Sequence, residues 1–235
     1  MPGLFADTRW SLIITAGGRE PGAREALARL FQVYWPPLYA FVRRKGHSPE
    51  DAQDLVQGFC AHLLEKNGLA TVDRARGRFR SWLLASLQHY LANEYDKRNA
   101  LKAGGGQPLL SLDKDGAEEA YLHEPTDGLT PEHLYARHWT LAFLRHVLGL
   151  LREEYVRAGA QAQFDKLKDH LMGEPDAAPY QQLAEELGST PGALKTAASR
   201  MRARYTRRLR EEVERTVERP EDVDDELRTL LAALG

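Results

Sequence analysis

Apolar residues recur at helical spacing along almost the whole chain, and no stretch alternates as a half-buried strand would. The first periodic stretch runs from about Arg24 to Lys45. There Ala26, Leu27, Leu30, Val33 and Tyr34, then Leu38, Phe41 and Val42, share one side, around a break expected at Pro36 and Pro37. A second begins at Ser48-Pro49, a cap followed by proline at the first helical position, and continues to about Lys66. A third, Arg78 to Lys102, carries Phe79, Trp82, Leu83, Leu87, Tyr90, Leu91 and Tyr95. Residues 103–131 are studded with glycine and proline, as in Gly104-Gly105-Gly106, Pro108, Gly116, Pro125 and Gly128, and read as a flexible linker. Helical periodicity resumes after Thr130-Pro131 and holds from His133 to about Met172. The expected fold is all-α: two small helical domains, 1–102 and 132–217, joined by the linker 103–131 and followed by an acidic extension, 218–235.

The most specific pattern is Tyr180 to Arg210, which reads as a helix, a tight turn and a second helix loaded with cations. Ala184, Gly188 and Leu194 supply a small residue at a helix crossing, a residue tolerant of the turn and an apolar anchor, the offsets of a helix-turn-helix. Thr190 and Pro191 repeat the cap-and-proline signal. Leu194, Ala197, Ala198, Met201, Tyr205 and Leu209 fall on one stripe, which turns Lys195, Thr196, Ser199, Arg202, Thr206, Arg207 and Arg210 outward. Seven Lys or Arg and no carboxylate lie between Lys195 and Arg210, a charge pattern that suits DNA phosphates and guanine edges.

The formal charge of −2 over 235 residues averages segments of opposite sign. From Glu211 onward nine acids face three arginines, so local charge rather than the total bears on the partner. The tail then carries Leu227, Leu230, Leu231, Ala232 and Leu234, and is expected to fold back as a short amphipathic helix near the basic recognition face. The single cysteine, Cys60, leaves no internal disulfide and no multi-cysteine zinc site, and its spacing makes it a core residue. No metal or cofactor is expected. Neither a secretory leader nor an apolar run of about 20 residues is evident, which points to the cytoplasm.

Three stretches carry a family resemblance: EALARLFQVYWPPLYAFVRRKG, then DAQDLVQGFCAHLLEK, then RFRSWLLASLQHYLANEYDKR. Together they resemble region two of bacterial sigma factors, particularly the small extracytoplasmic-function (ECF) group, and Tyr180 to Arg210 is similar to the region-four helix-turn-helix of the same family. The resemblance implies a protein without covalent chemistry of its own. Region two would bind core RNA polymerase and open the minus-ten promoter element, and region four would read the minus-thirty-five element of promoter DNA. As further partners it implies an anti-sigma factor or a protein kinase.

The residues fit these roles on physical grounds. On the helix from Ser48, the stripe Ala52, Leu55, Val56, Phe59, Cys60 and Leu63 leaves Glu50, Asp54, Gln57 and Gly58 on the opposite face, flanked by Asp51 and Gln53. These six are the candidate polymerase contacts, since an acidic helix face suits a basic partner. Gln53 and Gly58 stand where the family carries acids, which implies a weakened contact, and Ser48 is the nearest hydroxyl that a kinase could modify. For the minus-ten strand the candidates are Arg74, Arg76, Arg78 and Arg80, at alternate positions, with His89, Asn93, Lys97 and Arg98 on the next helix. Trp82 and Tyr90 follow the apolar period and are expected in the core. Lys195, Thr196, Ser199, Arg200 and Arg202 are placed at or beside bases of the minus-thirty-five element, and Arg204, Arg207 and Arg210 on phosphates.

A stand-alone helix-turn-helix regulator is the nearest alternative, but it leaves the DAQDLVQ helix and the arginine-rich loop without a role. An enzyme is disfavoured. Asp51 with Asp54, or His62 with Glu65, lacks further metal ligands, and no glycine-rich phosphate loop or paired nucleophile is present.

Overall fold

The computed structural model describes residues 23–66, 69, 72, 78–100, 114–123, 128–173 and 177–235, the side chains of 23–29, 32, 97–100, 114, 115 and 172 excepted. The fold is all-α, with no strand among the described residues. The helices are α1 (Ala23–Arg44), α2 (Pro49–Glu65), α3 (Phe79–Ala100), α4 (Lys114–Leu122), α5 (Pro131–Arg157), α6 (Gln161–Met172), α7 (Tyr180–Glu186), α8 (Pro191–Glu214) and α9 (Val223–Ala232). A 3-10 turn, Pro220–Asp222, precedes α9.

The chain divides into two compact units, one made of residues 1–143 with Val213–Gly235 and the other of Leu144–Glu212. This differs from the division expected from sequence, which assigns 132–217 to one domain and leaves the tail outside both. Burial explains the first unit: Leu134, Tyr135, Trp139 and Phe143 of α5 join its core, as do Val213, Val217, Val223 and Leu230.

The core of the first unit is built on α1. Leu30, Phe31, Tyr34, Trp35, Leu38, Tyr39, Phe41 and Val42 are all but inaccessible, and each such side chain stabilises the fold by roughly 1.5–3 kcal/mol relative to exposure. The helix runs unbroken through Pro36 and Pro37, so the break expected there does not occur. Packing on both sides of the prolines overrides the missing N–H donors. Helix α2 presents Ala52, Leu55, Val56, Phe59, Cys60 and Leu63 to this core, and α3 adds Phe79, Leu83 and Leu87. Phe79 meets Tyr34 edge-on, ring centroids 5.4 Å apart. Burial pushes the Cys60 thiol up, which suits an inert core residue.

Part of the segment expected to be linker is helix. Ala117 of α4 is buried, and Glu118 accepts hydrogen bonds from Tyr39 Oη at 2.5 Å and from Arg43 Nε and Nη2 at 2.9 and 3.0 Å. The Arg43 guanidinium also lies over the Tyr121 ring, 4.9 Å from its centre. These contacts join residues about 75 positions apart and fix α4 on α1.

In the second unit, Leu151, Tyr155, Phe164, Leu167, Leu183, Ala184, Leu194, Ala198 and Met201 form one apolar cluster. The periodic stretch from His133 to Met172 is two helices, parted at Gly159, whose φ of 69° is left-handed.

Candidate functional surfaces

On α2 the local start is well defined. The Ser48 hydroxyl accepts a hydrogen bond from the Asp51 backbone N–H at 3.1 Å and lies 3.2 Å from Asp51 Oδ2, with Pro49 in the first turn. Glu50 and Asp54 are exposed, while Asp51 and Gln53 are half-buried beside them. Two of the expected outward residues are not open. Gln57 is half-buried, and its amide nitrogen makes no hydrogen bond among the described residues. A Cβ added to Gly58 would overlap the Tyr90 hydroxyl of α3, so that position faces a neighbouring helix rather than a free surface. Tyr90 itself packs between the rings of Phe59 and His62, at 5.7 and 5.4 Å.

Of the candidates for single-stranded DNA, Arg74 and Arg76 lie outside the described residues, as do the side chains of Lys97 and Arg98. His89 and Asn93 are exposed on α3. Arg78 and Arg80 are engaged within the chain. Glu226 of α9, fully buried, meets Arg80 Nη1 with one carboxylate oxygen and Arg78 Nε, at 2.5 Å, with the other. Arg80 is only 11% exposed, its guanidinium stacks 4.8 Å from the centre of the Trp139 ring, and its carbonyl accepts the Tyr135 hydroxyl at 3.0 Å. Burial pushes the Arg80 pKa down to about 10, with the Arg78 charge adding, so the Arg80 guanidinium still carries its charge at neutral pH. The tail does form the expected amphipathic helix, and its buried carboxylate pairs with Arg80 of α3 and with Arg78 just before it. In the sequence Glu226 stands out only as one acid of nine.

The second unit holds the cationic helix. Helix α7, a turn at Leu187–Thr190 with Gly188 at φ 59°, and α8 follow in the expected order. Thr190 Oγ1 caps α8 by accepting the Ala193 N–H at 3.2 Å. Ala184, Leu194, Ala198 and Met201 are buried, and Lys195, Thr196, Ser199, Arg200, Arg202, Arg204, Arg207 and Arg210 are all exposed. Several have local partners. Arg202 donates to the His170 carbonyl at 3.2 Å, Arg204 lies over the Tyr155 ring at 5.7 Å, and Arg207 is 3.8 Å from Glu211. Arg208 is different: its guanidinium is held by Glu154 and by Glu211, which takes it out of the array. Near the end of α8 Glu212 is buried, 3.9 Å from the ring of buried His146.

Among the described residues, no group of three or more His, Cys, Asp or Glu is placed to hold a metal ion, and no helix is long and apolar enough to cross a membrane. Residues 30–100, which span most of α1 and all of α2 and α3, match the family described as Sigma-70 region 2. That match supports a sigma-70-type factor, with a role in binding RNA polymerase and melting promoter DNA. No curated protein and no solved structure gave a significant match.

Proposed function

From the region-two match we propose that this chain is a sigma factor of the ECF group, which binds core RNA polymerase and directs promoter-specific initiation without catalysis of its own. The observation that carries the proposal is the coincidence of that match, 30–100, with the body made by α1, α2 and α3, whose second helix begins with exposed Glu50 and Asp54. An acidic helix start meets a basic polymerase surface, with Asp51, Gln53, Gln57 and Gly58 beneath or beside it. His89 and Asn93, with Arg74, Arg76, Lys97 and Arg98, serve the minus-ten strand. The capped, cation-bearing α8 reads the minus-thirty-five duplex, its first turns on bases and its later turns on phosphates. Control by an anti-sigma factor, or by a kinase acting at Ser48, fits the same reading.

The test is to mix the purified chain with core RNA polymerase and pass it through gel filtration. Co-elution is the expected result. A chain that stays apart from polymerase yet still binds duplex DNA is instead a stand-alone regulator.

A further inference from the structure

The acidic tail places one carboxylate on two cations that single-stranded DNA would need. Glu226 is the only fully inaccessible charged side chain among the described residues, and its two oxygens are divided between Arg80 and Arg78. Arg80 makes a charge-assisted hydrogen bond to Glu226 and Arg78 an ion pair with it, and a phosphodiester would be drawn by the same two charges. We propose that α9 is a detachable internal competitor: in the closed chain Glu226 occupies the site of a DNA phosphate on Arg78 and Arg80, and departure of α9 opens that site to single-stranded nucleic acid. The inference rests on the region-two reading for the nature of the displaced ligand.

Three features of the contact suit a helix that leaves as a unit. First, it is narrow. Val223, Glu226 and Leu230 are the buried residues of α9, while Asp224, Asp225, Thr229 and Leu231 are exposed. Second, it borders a half-open pocket of about 310 Å³, lined among others by Arg78, Arg80, Gln88, Tyr135, Thr229 and Leu230, so both arginines line a space open to the outside. Third, near its end the tail is joined to α5 through a neutral carbonyl, that of Leu234, which accepts from Arg137 Nη1 at 2.5 Å.

The two arginines divide the work. Arg80 is held by Trp139 and Tyr135 and stays in place, so its charge draws an anion without moving. Arg78 is 36% exposed and precedes α3 at the end of the arginine-rich segment, so it is the side chain able to follow a strand. While Glu226 is seated, one negative charge offsets the pair, and a phosphate approaching Arg78 meets a carboxylate already 2.5 Å from it. The competition is therefore direct, and stronger at low salt, where the strand's phosphates and the carboxylate are least screened.

Two full-length variants test this by different chemistry. Glu226→Gln removes the charge and leaves Arg80 buried without its counter-ion, and Leu230→Asp removes the apolar anchor. Release of the tail is read from protease cleavage within 223–235, and binding from the anisotropy of a labelled mixed-sequence single-stranded DNA oligonucleotide. Both variants should show faster cleavage, about fivefold tighter binding at low salt, and a slope of log affinity against log salt steeper by about 0.7 for each further phosphate neutralised. Arg78→Ala added to either should return affinity and slope to the parental level. Faster cleavage with unchanged binding overturns the proposal, because the carboxylate is then only a structural counter-ion. A tail that stays protected in both variants overturns it too, since a competitor that cannot be displaced does not compete. Co-elution with core polymerase is scored separately on the parental chain: its loss removes the proposed function, whereas unchanged oligonucleotide binding in chains that still co-elute removes only the competitor.

Discussion

The hydroxyl of Tyr90 fills the space that a side chain at Gly58 would need, so α2 and α3 approach closely at a position with no Cβ. Glycine inside a helix is unfavourable by about 1 kcal/mol relative to alanine, and here the contact explains its presence. Gly58→Ala should therefore fail to stabilise the protein: overpacking costs about 1–3 kcal/mol, because Tyr90 is flanked by Phe59 and His62 and has little room to move. Tyr90→Phe should relieve most of that cost. A double-mutant cycle in urea checks the coupling, and a stabilised Gly58→Ala single variant contradicts it. The same geometry makes Gln53→Glu alone the clean way to raise the negative charge of α2, with tighter polymerase binding as the expected outcome.

At Ser48 the expected order of stability is Ser, then Asp, then Ala. The hydroxyl caps the Asp51 N–H and also reaches the Asp51 carboxylate, so Ser48→Ala should cost about 1 kcal/mol. Ser48→Asp keeps the cap but sets two carboxylates side by side. Thermal unfolding of the three proteins at one salt concentration, repeated at higher salt, separates the lost cap from the repulsion, because only the repulsion is screened.

Acid should loosen α4. The hydrogen bonds from Arg43 hold the Glu118 carboxyl below its ordinary value of 4.5, with Tyr39 also lowering it against the opposing effect of burial. A carboxyl depressed in the folded state contributes stability that is fully present above the unfolded value and is lost as pH falls through the folded one. The urea midpoint of the parental chain should thus fall towards that of Glu118→Gln when pH drops below 4.5. Equal differences between the two proteins at neutral and acid pH would refute the pairing as the cause.

Arg202 and Arg207 should behave differently on DNA. Arg202 is steadied by the His170 carbonyl midway along α8, whereas Arg207 sits more than a turn later, with Glu211 3.8 Å away. Arg202→Ala is expected to cost about 1–3 kcal/mol on the preferred duplex and to relax sequence preference, while Arg207→Ala weakens all duplexes alike and lowers the salt slope by about 1. Matched and scrambled duplexes compared by anisotropy give the answer, and identical losses in both variants count against the division.

Helices whose burial follows a local period are legible from the chain alone. All six residues expected on the buried stripe of α2 are buried, and Leu194, Ala198 and Met201 are likewise buried on α8. Gly58 escapes such reasoning because periodicity gives the direction a residue faces and not what stands in front of it. Helix α4 reads as linker because its sequence is short and contains Gly116. Its support comes from Tyr39 and Arg43, more than 70 positions earlier, which no local window includes. Glu226 is hidden for the same reason: its partner Arg80 lies 146 positions away, and charge counting does not distinguish a buried acid from its solvated neighbours. The candidates of the second unit are easier to read because cap, turn and cationic face all belong to one continuous segment.

The prolines inside α1 have a consequence for how the protein reaches this state. Pro36 and Pro37 donate no backbone hydrogen bond, so the carbonyls a turn earlier lose their helical partners, at roughly 3 kcal/mol for each proline in a helix interior. A peptide of 22 residues with that defect cannot hold a helix in water, where even good helix formers of modest length are only marginal. The most buried helix of the first unit is thus unable to seed its own formation. It holds its shape through tertiary packing, as in the edge-on contact of Tyr34 with Phe79 of α3, so helix and core in this unit depend on each other.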